Sequence, residues 1–397
     1  MSAQDRAPGT PLRILISSYF YPPSIGGVER QTFLLARGLV RRGHRVRVVA
    51  ALQPGAPARE EHEGVEIVRV SAGAGNRWTK MAGYLAATAL ELARASGWAQ
   101  LVHVQQALYP AAAAALACLP LRLPLVVTNH GSGVAGAAAL MGSLPLGSAS
   151  LRLIAARATV ACVNDQAVEE LRGLGFPRLQ RILNAVEVPA PVAGQREEAR
   201  SALGLDGRVA LFLGRLEPEK NLEVLLRAWS SAGRPGWTLA IVGDGSERPL
   251  VERLSAGLPP GSVRIAGAVR DPAPWLRAAD LLVLPSKSEG ISNALLEAMA
   301  HGLAPVASDV GGNRQVIARP ALGRLVPPGD APALALALAE LLGDQARCAA
   351  LGAAARAHVA EAFSVEAMVL AYERLYRGVL GGRLTAAASP PPPAAGT

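Results

Sequence analysis

Short apolar runs alternate with longer amphipathic stretches along most of this chain, the rhythm of buried parallel strands separated by covering helices. Strands are predicted at 13–17, 45–50, 65–70, 101–104, 125–129, 158–163 and 180–183. Helices are predicted from Gly26-Gly27 to about residue 42, then over 79–95 and 165–174. The rhythm breaks at Val188-Pro189-Ala190-Pro191-Val192-Ala193-Gly194 and the charged stretch up to Arg200, a composition suited to a linker. It restarts with strands at 209–214, 239–242, 263–266, 281–284 and 305–307, and helices at 222–229, 248–256 and 293–301. Past Asp330 the pattern is helical: 331–342, 345–360 and 365–380. The last helix carries Met368, Leu370, Tyr372, Leu375, Tyr376 and Val379, a stripe suited to packing on a surface.

The fold class is therefore α/β, with two doubly wound, Rossmann-like domains facing a central cleft. The divisions are a tail at 1–11, a first domain at 12–187, a linker at 188–200, a second domain at 201–363, a terminal helix at 364–381 expected to cross back to the first domain, and a tail at 382–397. The second tail is Pro/Ala-rich, and both are expected to be disordered. In open parallel sheets, ligands collect at the carboxyl ends of the strands.

Composition narrows the field. A length of 397 residues exceeds what one core usually holds, since cores stop growing near about 250–300 residues. Cys118, Cys162 and Cys348 are odd in number and far apart, which suits small core residues in a reducing cytosol better than a disulfide framework or a zinc site. No secretory h-region is expected at the start of the chain. The most apolar stretch, 104–127, is broken by Pro110, Pro120, Arg122 and Pro124, short of the roughly 20 uninterrupted residues of a spanning helix. A net charge of +9 favours anionic partners. Nucleic acid is not expected, because no interleaved basic-aromatic platform is present. A phosphorylated substrate or an anionic membrane surface fits better. Arg41, Arg42, Arg45 and Arg47 cluster around His44 and read either as a solvated helix end or as a contact with phospholipid.

Candidate chemistry falls at the predicted strand ends. After 281–284 runs Pro285-Ser286-Lys287-Ser288-Glu289-Gly290-Ile291-Ser292-Asn293-Ala294-Leu295-Leu296-Glu297. Glu289 can meet a sugar hydroxyl there. The N–H groups of Gly290, Ile291 and Ser292 open a helix and can face a diphosphate, and Glu297, two turns on, can accept bonds from a ribose. In Gly214-Arg215-Leu216-Glu217-Pro218-Glu219-Lys220-Asn221, Arg215 as a fork and Lys220 as a point charge can grip a diphosphate. They would also neutralise charge on a departing nucleoside diphosphate. Gly26-Gly27 permits close approach of backbone to an anion. His130-Gly131 follows a strand end, and Asp244, within Gly243-Asp244-Gly245, reads as a turn or cap residue.

Together these segments resemble the retaining glycosyltransferase family 4, of the GT-B fold, over roughly 13–380. Glu289 and Glu297 match its Glu-x7-Glu pair, with Pro285-Ser286, Gly290 and Glu297-Ala298-Met299-Ala300 in register. The resemblance implies that Glu289 contacts the donor sugar and Glu297 the nucleotide ribose. It implies that Arg215 and Lys220 hold the diphosphate, that His130 bonds the donor hexose, and that Gly26 and Gly27 lie against donor phosphate and sugar. Gly214, Gly243, Gly267, Gly290, Ile291, Ser292 and Asn293 complete the implied donor site, with Gly267 near the base. Two segments depart from the family pattern: Gln315 stands where glutamate is common, and Asn184-Ala185-Val186-Glu187 where Asn-Gly-Val-Asp is usual.

The resemblance further implies a UDP- or GDP-sugar donor held by the second domain and a saccharide or lipid-linked acceptor held by the first. Closure would exclude water, and a leaving phosphate oxygen would serve as base in a front-face transfer. The implied setting is polysaccharide or glycolipid synthesis, in the cytoplasm, with a peripheral contact at the inner face of the membrane. No Asp-x-Asp occurs in the chain, and no cofactor or metal is expected; backbone N–H groups with Arg215 and Lys220 would take a metal's place. A glycosidase or sugar phosphorylase would need its two carboxylates about 5–10 Å apart, and Glu297 is poorly placed for that. A nucleotide-sugar epimerase and a non-catalytic sugar-nucleotide-binding subunit are further alternatives. A dinucleotide dehydrogenase lacks its Gly-x-Gly-x-x-Gly opening.

Overall fold

The computed structural model describes residues 10–382 except 25, 72, 133–135, 143, 145 and 193. The two tails expected to be disordered lie outside the described residues, but for 10–11 and 382. The chain forms two compact units: an N-terminal unit from Met1–Asn184 with Val365–Thr397, and a C-terminal unit from Ala185–Ser364.

In the N-terminal unit, strands β1 (Arg13–Ser17), β2 (Arg45–Ala51), β3 (Arg59–His62), β4 (Val65–Val70), β5 (Leu101–Val104), β6 (Leu125–Asn129), β7 (Ala158–Cys162) and β8 (Leu179–Arg181) pair in the order β3-β4-β2-β1-β5-β6-β7-β8. Every neighbour is parallel except β3, antiparallel to β4. Helices α1 (Gly27–Arg41), α2 (Arg77–Ala95), α3 (Tyr109–Leu121), α4 (Ala137–Gly142), α5 (Gly147–Arg157) and α6 (Asp165–Gly173) connect them. Side chains such as Ile14, Leu15, Ile16, Val48 and Val127 are sealed from solvent, which is why the strands read as unbroken apolar runs. Asn76 and Asn164 cap α2 and α6 by accepting bonds from first-turn N–H groups.

The C-terminal unit opens with α7 (Gln195–Leu203). Its strands β9 (Arg208–Leu213), β10 (Trp237–Val242), β11 (Val263–Gly267), β12 (Leu281–Leu284), β13 (Ala304–Ser308) and β14 (Arg324–Val326) form a wholly parallel sheet, order β11-β10-β9-β12-β13-β14. This is the 3-2-1-4-5-6 arrangement of doubly wound nucleotide-binding folds. Helices α8 (Leu222–Ala232), α9 (Arg248–Ser255), α10 (Ala273–Ala278), α11 (Asn293–Ala300), α12 (Asn313–Val316), α13 (Ala331–Gly343) and α14 (Gln345–Ala362) belong to it. Residues 195–200, read above as linker, are part of α7. That helix packs on α10, and Arg200 bonds the buried Asp280 carboxylate at 2.6 Å, an oxygen that also accepts from the Val209 N–H. The charge there serves docking rather than solvation.

After α14 the chain returns to the N-terminal unit as α15 (Val365–Leu380), which packs on α1. Met368, Leu370, Tyr372, Leu375 and Tyr376 are buried. Gly38 lets the two helices approach, since a Cβ there would overlap Val369. Glu373 of α15 gathers Arg42 and His44, the latter at 2.6 Å. Arg41 lies 3.3 Å from Glu63, and Arg47 lies 2.9 Å from Glu66 and over Trp98. Four members of the sequence's basic cluster are thus answered in place by carboxylates. The exposed Arg41 pair is worth about 0–1 kcal/mol; stripping the nearly buried Glu373 of its partners would cost about 3–5 kcal/mol. Among the described residues no helix is long and apolar enough to cross a membrane.

Candidate active site

The strand order of the C-terminal sheet reverses between β9 and β12, so the loops leaving those strands flank the crevice where such sheets bind ligands. Arg215 and Lys220 lie on the first loop and Glu289 on the second. Lys220 Nζ donates to Glu289 Oε1 at 2.6 Å, and the fully buried Ser286 donates its hydroxyl to the same oxygen at 2.7 Å. Only 16% of the lysine side chain and 10% of the glutamate side chain are exposed, so each ion depends on the other for its solvation. An ammonium has three N–H donors. The Glu289 bond is the single partner of this one among the described residues, so two donors remain for an anion.

Arg215 behaves differently. It is 73% exposed and bonds Glu219 at 3.0 Å, a surface pair worth at most about 1 kcal/mol that an incoming phosphate could displace. The Glu219 carbonyl accepts from the Lys287 N–H at 2.8 Å, which ties the two loops together.

Beneath these loops the turns are close-packed. Gly243, at φ 143°, sits where a Cβ would overlap the Gly214 carbonyl, and its N–H bonds Gly267 O at 2.8 Å. A side chain would be strained there for both reasons. Asp244 accepts from the Gly245 N–H and from Arg248, which together hold its carboxyl below the usual range; it is a turn residue. The loop after β13 packs under the Glu289 turn: a Cβ on Gly312 would overlap Gly290 O. Ser292 is the cap of α11, its hydroxyl accepting from the Leu295 N–H at 3.3 Å. Ile291 is buried, Asn293 opens the helix, and the half-buried Glu297 lies in its second turn. Gln315 lies in α12.

In the N-terminal unit the strand order reverses between β1 and β5. Gly26 and Gly27 follow β1 and start α1, with the Glu29 carboxylate folded against Gly26. His130 follows β6, and its Nε2 lies 2.9 Å from Gln105 Oε1. Burial lowers the His130 pKa to about 4, so the ring is neutral near pH 7.

Gln105 and Ser286 were missed as functional candidates in the sequence. Ser286 stands within the quoted motif, but a serine three residues from a glutamate has no distinctive signature. Gln105 could have been found, because it is the first residue after β5, at the strand-order reversal, where a polar side chain is most informative.

Residues 25–188 match the family described as Glycosyltransferase Family 4, and residues 207–344 match the one described as Glycosyl transferases group 1. A D-inositol 3-phosphate glycosyltransferase of Xylanimonas cellulosilytica is 32% identical over 370 residues, 84% of this chain and 87% of that protein. A GDP-mannose-dependent alpha-mannosyltransferase of Mycolicibacterium smegmatis is 30% identical over 370 residues, 88% of this chain and 92% of that protein. A D-inositol 3-phosphate glycosyltransferase of Thermobispora bispora is 38% identical over 217 residues, 48% of this chain and about half (49%) of that protein's length. Among solved structures, the sucrose-phosphate synthase of Thermosynechococcus elongatus superposes with a TM-score of 0.76 at 24% identity, covering 94% of this chain and 100% of the other. Anabaena HepE, in complex with UDP and glucose, does so at 0.77 and 19% identity, covering 92% and 99%. The shared fold is GT-B.

Proposed function

The chain belongs to glycosyltransferase family 4, and from that premise we propose that it moves a hexosyl group, with retention, from a UDP- or GDP-sugar to a hydroxyl of a saccharide or lipid-linked acceptor. The observation that carries this reading is the Lys220–Glu289 pair, 2.6 Å apart at the strand-order reversal of the C-terminal sheet. It offers ammonium donors to a diphosphate and a carboxylate to sugar hydroxyls. The names of a GDP-mannose-dependent relative and of a structural neighbour in complex with UDP and glucose support the donor class.

In the proposed reaction the bond from the anomeric carbon to the β-phosphate oxygen breaks. Charge builds on the departing diphosphate, and Lys220 with Arg215 neutralises it in the transition state. The acceptor hydroxyl attacks from the same face, forming the new glycosidic bond, and its proton passes to the departing phosphate oxygen. No protein base and no metal is required. His130 and the Gly26-Gly27 turn keep the roles the resemblance implies, a bond to a sugar hydroxyl and a backbone contact to phosphate. Polysaccharide or glycolipid synthesis at the inner face of a membrane is the setting we propose.

Incubation with a panel of nucleotide sugars and candidate acceptors tests the reading. Free nucleoside diphosphate together with a glycosylated acceptor of unchanged anomeric configuration is the expected result, and Lys220→Ala and Glu289→Ala should each nearly abolish it. Isomerised donor with no acceptor product would indicate an epimerase. Tight nucleotide-sugar binding without turnover would indicate a binding subunit.

A further inference from the structure

Around His130 a run of buried polar groups reaches from the strand ends to the C-terminal helix. His103, fully buried on β5, has Nδ1 2.8 Å from the Tyr376 hydroxyl and Nε2 2.7 Å from Thr128 Oγ1. Thr128 Oγ1 in turn lies 2.8 Å from the Tyr372 hydroxyl. With both nitrogens engaged, the His103 ring is held against rotation. The Gln105 amide nitrogen lies 3.4 Å from each of those ring nitrogens, and therefore over the ring face. The opposite end of the same amide, Oε1, meets His130 Nε2 at 2.9 Å.

An amide can be placed either way round, so its orientation needs a physical argument. An N–H directed at an aromatic face is attractive, whereas a carbonyl oxygen there meets the negative face of the ring. His103 therefore holds the amide with NH2 toward itself and oxygen toward His130. A carbonyl oxygen only accepts, so His130 Nε2 must carry the proton. The ring is neutral, so Nδ1 is bare. That nitrogen has no partner among the described residues, and the side chain is only half-buried.

We propose that Gln105 is a positioning residue that fixes His130 as its Nε2–H tautomer, so that Nδ1 accepts a hydrogen bond from a hydroxyl of the donor sugar. The sugar contact rests on the donor-site reading of His130; the tautomer does not. His130 would recognise a hydroxyl by accepting a hydrogen bond from it and would disfavour a sugar with fluorine or methoxy at that position. The titratable groups of this cluster are His103, Tyr372 and Tyr376, all neutral at pH 7.

Nitrogen-15 NMR of the histidine-labelled protein, without ligand, reads the tautomer directly. His130 is expected as Nε2–H at pH 7. Gln105→Leu should give mixed tautomers and lower kcat/KM for UDP- and GDP-hexose cleavage about tenfold, the effect of one lost hydrogen bond. Gln105→Glu places a carboxylate beside the ring and raises the His130 pKa. Its activity should gain an acidic limb near neutrality, with transfer falling as pH drops through it; a role in folding alone would not move that limb. Wild-type His130 found as Nδ1–H would overturn the proposal, and so would a tautomer unchanged in Gln105→Leu. Wild-type transfer in His130→Ala would instead remove the sugar contact and leave the tautomer assignment standing.

Discussion

The two clusters at strand ends are made of opposite materials. The C-terminal unit places full charges in contact, Lys220 against Glu289 at 2.6 Å, with a buried serine on the same oxygen. The N-terminal unit holds two histidines, a glutamine, a threonine and two tyrosines in one uncharged network. An ion pair responds strongly to a charged ligand, because an arriving phosphate competes directly for the ammonium. A neutral network responds to shape and hydrogen-bond direction. The two units thus present different chemistry at their strand-order reversals, paired ions in one and a directional neutral network in the other.

The largest expected effect breaks the charged side. Lys220→Ala should reduce transfer by about a thousandfold, the scale of lost transition-state charge stabilisation, and Glu289→Ala by a similar factor, because it removes the sugar contact and leaves a mostly buried ammonium without its counter-ion. A fall below tenfold in purified, folded protein would put the charged cluster elsewhere. His130→Ala, on the neutral side, should cost about ten- to a hundredfold, the range for one or two hydrogen bonds to a desolvated partner. Arg215→Ala should cost about tenfold, less than Lys220→Ala, because this exposed guanidinium would meet the diphosphate where water screens its charge; steady-state kinetics would rank the four variants.

Acid should also separate the clusters. Burial lowers His103 to about 3 and His130 to about 4, while an unfolded histidine titrates near about 6.5. Below that value the unfolded chain takes up protons that the folded chain refuses. The stability contributed by these neutral rings is therefore complete above about pH 6.5 and is lost as pH falls toward their folded values. Urea midpoints between pH 7 and 4 should decline, and less steeply in His103→Gln. A level profile in the wild type would mean that the rings titrate normally. Smallest of all, EDTA should leave transfer unchanged if the cations alone carry the leaving group.

How much of this could be read in the sequence depends on how far each signal reaches along the chain. Lys220 and Glu289, which the structure brings to 2.6 Å, sit in local motifs directly after apolar runs, and such runs marked every strand except β3 and β14. Strand β3 was not predicted: Arg-Glu-Glu-His is an exposed edge with no alternating face. Helix α5 lacked a cap signal, because Leu146 precedes it in a left-handed conformation with no side-chain cap bond. The stripe on α15 announced burial. The hydroxyls of Tyr372 and Tyr376 could not be assigned to Thr128 and His103, which lie more than two hundred residues away.

The return of α15 sets the order in which the protein can mature. A ribosome delivers Met1–Asn184 first, yet that unit lacks its last helix until Val365–Leu380 emerges. Meanwhile His103 and Thr128 have no tyrosine hydroxyls, and Glu373 is not there to meet Arg42 and His44. The C-terminal unit is contiguous and can finish before the one made ahead of it. A premature stop just after residue 364 would therefore damage the earliest-made half of the molecule and spare the later one.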